Sequence, residues 1–347
     1  MRKLLKRLAL LVLLLVIGLA LPVGYIEVAC RPTGQTVEYT SILPVENHRE
    51  EGRTLLTYPE WHIVHAYDDY AEVIRTGDPH DYNYLSSIGG FWTSLCSLSQ
   101  ASGPYGGFPG EFKQTIYTIG VSFTAELLAK AAYEETLGRA GTWIRGGTRA
   151  PLDELSAQQA SEYSQFLRQI PWYRWDFPRE AIALSDQATE IFRDKERRFA
   201  LGLEYRVKAR YAQVIAAAVA NMTPDALRLR MIVTGLSPED LSHYERLEVV
   251  RQRDEGIEID TPRYRELTHL LSKMARDGAD FIELAGNDDI LFTLTSDDPV
   301  FDGALYSFER QGYGDTRHLV LQPVRQLAET LRNLDDDTLR LEHIHDY

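Results

Sequence analysis

Hydrophobic positions along the chain follow three successive patterns, and each predicts a different kind of structure. From Leu8 to Ile26 about 19 residues are uncharged and mostly apolar, and Arg2, Lys3, Lys6 and Arg7 precede them. That length matches the ~30 Å hydrocarbon layer of a bilayer. Basic residues before an apolar run stay cytoplasmic, so the segment 1–30 reads as a transmembrane anchor with the body outside the cytoplasm. Gly18-Leu19-Ala20 also fits a cleavable signal peptide. Val28-Ala29-Cys30 resembles a lipoprotein site, although the charged Glu27 is out of place there.

The second pattern has the helical period. Over Thr57–Gly77 it puts Ile63, Ala66, Tyr67, Tyr70, Ala71 and Ile74 on one face and His62, His65, Asp68, Asp69 and Glu72 on the other, with Trp61 beside them. Thr57 and Glu60 have capping-box spacing, Pro59 suits a first turn, and Gly77 suits a left-handed end. A second helix spans Gln114–Leu137, and its uncharged half Thr115–Ala125 predicts the buried centre of a helical region. Ser156–Gln169 is a short helix. Phe177–Asn221 is helical throughout but too long for a compact domain, so a bend is expected near Gly202. The charges of Arg193–Arg198 read as a solvated face.

After Pro224 the period shortens to two. Strands are expected at Leu227–Val233 and Arg246–Arg253, and a helix from Thr261-Pro262 to Asp277. Two hairpins follow, Phe281–Leu284 with Ile290–Thr295 and Ala304–Arg310 with Arg317–Leu321. A helix from Pro323 to about Asn333 comes last. The chain therefore reads as α+β. It divides into an anchor (1–30), a stalk (31–56) with one short strand at Thr36–Ile42, a mainly helical part (57–224), and a C-terminal antiparallel-sheet part with flanking helices (225–347).

Charge and cysteine content narrow the function. A net charge of −14 and a pI near 5.2 argue against nucleic acid, whose phosphates need a basic face. Two cysteines exclude a disulfide scaffold. Because Cys30 lies at the membrane exit, Cys96 is expected to be a free, buried thiol.

Candidate chemistry centres on the first amphipathic helix. His62, His65 and Asp69 could hold a divalent metal, with Glu72 relaying a proton from a metal-activated water, and His80 and Asp81 could fold back toward them. The same face equally reads as a solvated one. Glu126, if buried, would resist ionising and act as an acid or base, whereas Lys130 four residues on offers an ordinary ion pair. His343 and His345, with Asp346, have ligand spacing in a tail expected to fray. Aromatic residues alternate with glycines from Tyr82 to Phe112, as in a pocket wall or a loop pinned to a core. The aromatics between Pro171 and Pro178 suit a bilayer interface or a helix entrance. No His-Glu-x-x-His, Gly-x-Ser-x-Gly, Cys-x-x-Cys or Walker motif occurs. Two functions follow: an envelope protein binding a partner protein or a small or lipidic ligand, and a metal-dependent hydrolase using the polar face of the helix 58–76.

Overall fold

The computed structural model describes residues 2–50, 52–219, 228–335 and 337–346. The expected boundary at Pro224 and helix end at Asn221 lie outside the described residues. Helix α1 (Arg2–Ala29) contains Pro22. Among the described residues no helix is long and apolar enough to cross a membrane. The last turns of α1 are part of the body. Ile26 is buried, and Glu27 accepts hydrogen bonds from Lys113 Nζ at 3.1 Å and Tyr117 Oη at 2.6 Å.

Cys30 and Cys96 form a disulfide, which corrects the expectation of a free thiol at Cys96 and leaves no thiol at Cys30 for a lipid. The pairing arises because Cys30 ends α1 where that helix packs on α3 (Tyr84–Ala101). The segment after it forms no strand at 36–42. Its amides are taken by a side chain instead: Ile42 N–H and Leu43 N–H donate to the Glu283 carboxylate, as do the Tyr39 and Ser41 hydroxyls.

Helix α2 (Gly52–Thr76) begins before the predicted cap. Thr57 Oγ1 donates back to Thr54 O at 2.8 Å, so Thr57 caps nothing. Buried Leu55 and Leu56 extend the apolar pattern upstream and carry the helix with it. Gly77 does not enter the left-handed region, and its N–H continues the ladder to Val73 O. The glycine-aromatic stretch is mostly the helix α3, with Gly89 and Gly90 inside it. Helix α4 (Gly110–Tyr133) exposes Thr115, Thr118 and Ala125, so it is not the buried centre; α2 is. A π-helical turn, Glu134–Gly138, leads into α5 (Arg139–Arg145). Helices α6 (Pro151–Leu167), α7 (Phe177–Gln187) and α8 (Phe192–Val219) follow.

The break in the long helical stretch falls between α7 and α8 rather than at Gly202. Asp194 accepts from Thr189 N–H and Leu152 N–H there, satisfying amides that a continuous helix would have bonded itself. Arg193, Asp194 and Arg197 are not a solvated face. All three are at most 1% exposed, because Asp153 (2.8 Å from Arg193) and Glu134 (2.9 Å from Arg197) meet them from neighbouring elements. Trp172, Tyr173 and Trp175 pack around buried Phe177 and Tyr163, the helix-entrance role.

The C-terminal region is built from two units of one topology. The first holds β1 (Arg228–Thr234), the one-turn helix α9 (Pro238–Leu241), β2 (Glu248–Arg253), β3 (Gly256–Pro262), α10 (Arg265–Arg276) and β4 (Asp280–Leu284), with strand order β2-β3-β1-β4. The second holds β5 (Asp289–Ser296), β6 (Ala304–Glu309), β7 (Thr316–Pro323), α11 (Val324–Asn333) and β8 (Leu339–His345), with order β6-β7-β5-β8. In each, three antiparallel strands lead to a helix and then a strand that pairs with the first. Thr261 and Pro262 therefore close β3 instead of opening a helix. Residues 281–295 are not a hairpin either, because β4 and β5 belong to different sheets. The β6–β7 hairpin is formed. The tail expected to fray is β8, paired to β5, with Ile344 fully buried. One apolar core joins both sheets with α10 and α11.

The disulfide closes a long loop, with 66 residues of sequence separation. Replacing Cys30 and Cys96 together by Ser should cost about 2–4 kcal/mol, read as a lower urea midpoint with a slope no smaller than the parent's, because the uncrosslinked chain unfolds to a more open state. An unchanged midpoint would show that the crosslink does not restrain the unfolded chain.

Candidate functional site

Helix α2 lies across the outer face of the second sheet. Leu55, Tyr58 and Trp61 pack on Leu291 and Leu319, so the face that sequence assigns to solvent is a buried seam. His62, His65, Asp68 and Asp69 are 3–5% exposed, which corrects the solvated reading. Charges on the sheet require it: Arg317 on β7 is 0% exposed and could not be buried without carboxylates opposite it.

Arg317 donates two parallel hydrogen bonds to Glu342 on β8, at 2.5 and 2.6 Å, and lies 3.8 Å from Asp69. Glu342 Oε1 is 3.5 Å from His65 Nδ1. Burial opposes a charge on Glu342, but Arg317, Arg310 and Arg168 outweigh it and hold the carboxyl below its ordinary value. The turn between β6 and β7 completes the seam. Gln311 N–H donates to Asp69 at 3.2 Å and Tyr313 Oη to Asp68 at 3.0 Å, while Arg310 stacks 3.6 Å from the Tyr313 ring. Gly312 allows this approach. At its φ of +83° a side chain would be strained, and a Cβ would meet Val73 N at 3.1 Å.

The imidazoles are neutral. Burial pushes His62 down to about 4 and His345 to about 3, and lowers His65 and His343 well below the ordinary value. His62 Nε2–H donates to Ser87 O at 2.9 Å, and its ring is boxed by Phe91, Phe123 and Phe308. Gly90 makes room for that ring, since a Cβ there would meet Cε1 at 2.9 Å. Asp69 is pushed up to about 7 by burial, against the pull of Arg317 and Arg310.

Outside the seam, α2 and α6 flank an open cleft of about 650 Å³, lined by Asp68, Glu72, Glu154, Gln158, Ser161 and Gln165 among others, with Tyr313 at its edge. Asp68 is shared. It forms the inner wall of the cleft, and its carboxylate meets Arg168 at 2.9 Å and Arg310 at 3.7 Å.

The residues singled out from sequence go to different places. His62 and His65 both enter the seam, but His62 is spent on Ser87 and an aromatic box while His65 faces Glu342. Asp69 faces Arg317. Glu72 lies at the cleft, gripped by Arg75 through two hydrogen bonds of 2.9 and 2.6 Å. Glu126 pairs with Lys208 at 2.8 Å rather than with Lys130, which pairs with Glu204. Burial works against its charge, but Lys208 and Lys130 prevail and keep Glu126 below its ordinary value, the opposite of an acid that resists ionising. His80 and Asp81 do not fold back to the seam. With Asp78 they form the group among the described residues whose ligating atoms lie within 4.8 Å of one another. Asp78 is already paired to Arg145 at 2.7 Å, and its N–H donates to Asp81 at 2.8 Å, which describes a turn cap.

What reaches the seam instead is β8. The His343 ring stacks on Trp61 with centroids 3.5 Å apart, and the His345 ring lies 5.3 Å from that of Tyr58. The i, i+2 spacing of the two histidines was the available signal. Arg317, Arg310 and Glu342 had none, because their roles depend on a pairing between distant segments. No known protein family, no curated protein and no solved structure matches the chain.

Two outcomes follow. Arg317→Met, which takes the forked partner from Glu342 and the facing guanidinium from Asp69, should destabilise the protein by about 3–5 kcal/mol in denaturant unfolding. A cost under ~1 kcal/mol would mean that the seam is not the buried network described. The second concerns pH. Imidazoles titrate near 6.5 when unfolded, and His62 and His345 near 4 and 3 when folded, so their stabilisation is complete above 6.5 and lost as pH falls toward 4. Asp69 works oppositely, favouring the folded state less as pH rises from 3.8 to about 7. Four imidazoles outweigh one carboxyl, so the thermal midpoint should be roughly 10 °C or more lower at pH 4.5 than at pH 7.5. A flat profile would contradict neutral burial of these rings.

Proposed function

We propose that this chain is an extracytoplasmic binding protein, addressed and held at the membrane by its basic-then-apolar N-terminal segment, and that the α2–α6 cleft takes a small hydrophilic ligand. The observation carrying the reading is the cleft. Its volume falls within the range of small-molecule sites. Its walls are amide, hydroxyl and carboxylate groups, with only Ala71, Pro151, Leu155 and Ala157 as apolar lining. Such walls do not suit a lipid tail.

The acids do not make it a cation site. Asp68, Glu72 and Glu154 are each paired with an arginine, and Glu162 accepts from Gln158 Nε2 at 2.8 Å, leaving recognition mainly to directional hydrogen bonds rather than to field. Planar amides and carboxylates facing vicinal hydroxyls, with one tyrosine ring at the edge, suit a sugar or polyol. The disulfide supports the location, since cystines persist outside the reducing cytoplasm.

The test is calorimetric titration of the full chain with a disaccharide, glycine betaine and a lysophospholipid, beside a cleft-filling Ser161→Trp variant. Ser161 is exposed on α6, so the fold should tolerate the change. Binding of one of the first two probes, weakened at least tenfold in the variant, is expected. Binding of the lysophospholipid alone, or affinity unaffected by Ser161→Trp, would overturn the reading.

A further inference from the structure

The seam keeps more unpaired ring nitrogens than a sealed interior tolerates. Among the described residues, His65 Nε2, His343 Nε2 and both nitrogens of His345 have no hydrogen-bond partner, and the Tyr58 hydroxyl beside them has none. The three imidazoles are at most 5% exposed. Each unmet buried polar atom costs about 1–3 kcal/mol. Native interiors hold few, and a bound ion is one of the standard reasons for one.

His343 has the outer-shell pattern of a metal ligand, in which a hydroxyl holds the far nitrogen and leaves the near one free: its Nδ1 is 3.1 Å from Thr268 Oγ1. The Nδ1 of His65 faces the Glu342 carboxylate at 3.5 Å, longer than a direct hydrogen bond. On β8 His343 and His345 flank Ile344, so both project to one face. Their centroids are 4.9 Å apart, and Trp61 touches all three rings. Burial keeps the rings neutral, the form that ligates.

We propose that His65, His343 and His345 bind one divalent late first-row metal ion through Nε2, zinc being the best match to an all-imidazole set, between α2 and β8. The three nitrogens are not closed around one point in this structure, since no group containing them has all its ligating atoms within 4.8 Å. A tetrahedral ion with Zn–N of about 2.0–2.1 Å asks for about 3.3 Å between nitrogens. Binding therefore turns the rings, His345 foremost, because no hydrogen bond holds either of its nitrogens. His62 is outside the set: its Nε2 is committed to Ser87, and although its Nδ1 has no partner among the described residues, Phe91, Phe123 and Phe308 surround the ring.

The test uses the full chain, stripped with chelator, reloaded with Zn²⁺ or Co²⁺ and gel-filtered. About one metal per chain is expected, with the strong visible absorption of tetrahedral cobalt and three imidazoles by X-ray absorption at the zinc edge. Affinity should fall at least tenfold in His65→Gln and in His345→Gln, and stay unchanged in His80→Asn, which probes the Asp78–His80–Asp81 turn. Less than a tenth of an equivalent in the parent, one imidazole or none at the zinc edge, or loss of binding in His80→Asn overturns the proposal. The parent's stoichiometry and zinc-edge spectrum decide the matter even if a histidine variant fails to fold. Failure here would leave sugar or betaine binding in the cleft untouched, so the two readings fail separately.

Discussion

The fold depends on burying one guanidinium. Arg317 sits near the start of β7 with no exposure, and removing such a group from water costs several kcal/mol unless its charge and hydrogen bonds are met. Glu342 supplies the forked pair from β8, and Asp69 supplies a second carboxylate from α2. Glu342 belongs to the same sheet as Arg317, so what docking of the helical region adds is the second carboxylate, Asp69, together with exclusion of water from the pair. Thr54 Oγ1, donating to His345 O at 2.9 Å, adds a neutral bond along the same line. A network of this kind contributes more to a unique docking geometry than to net stability, because apolar residues of the same shape would pack there without desolvating any charge.

That constraint explains which features were legible in the sequence. The helical period of 57–77, the change of period after 224, the β6–β7 hairpin and the final helix reflect local preferences and are formed. The errors share one cause. Asp68, Asp69, Arg193 and Arg197 are polar residues at helical spacing, and local pattern sends them to solvent; they are buried because opposite charges arrive from segments tens or hundreds of residues away. The disulfide was missed for a related reason, since Cys30 was judged by its place in the chain and not by the packing of α1 on α3. The Gly286–Asp289 turn misled in another way. Its glycine-rich composition marks a reversal, and the structure uses it to pass from one sheet to the next. His343 and His345 were noticed as a pair, but their partner His65 could be found only once β8 was placed against α2.

The two C-terminal units show how one topology is put to different uses. Ile232 faces Glu283 across the β1–β4 pair, and Thr293 faces His343 across β5–β8. Both Glu283 and His343 lie on the last strand of their unit and away from the shared core. In the first unit that outer position gathers the segment 39–43, whose amides and hydroxyls saturate the Glu283 carboxylate. In the second it meets α2, and the donors needed to saturate it are missing. The first surface is a closed structural contact, while the second retains unpaired nitrogen.

Cleft and seam are separated by a thin wall whose chemistry is specific. Asp68 faces the cleft on one side and Arg310 on the other, and Tyr313 closes over the pair. Because Asp68 is met by both Arg168 and Arg310, this wall does not draw cations inward by charge. Passage between the two compartments would have to break Asp68–Tyr313 and Asp68–Arg310 contacts together. Both partners stand on one turn, flanked by Gly312 and Gly314 at φ values of +83° and +75°. A turn shaped by left-handed glycines is set by its backbone more than by side-chain packing. The barrier between cleft and seam is therefore held by two side chains of a short hairpin loop, Arg310 and Tyr313, against Asp68 on α2, and the aromatic and ion-pair contacts of that loop decide how tightly the buried imidazoles are kept from water.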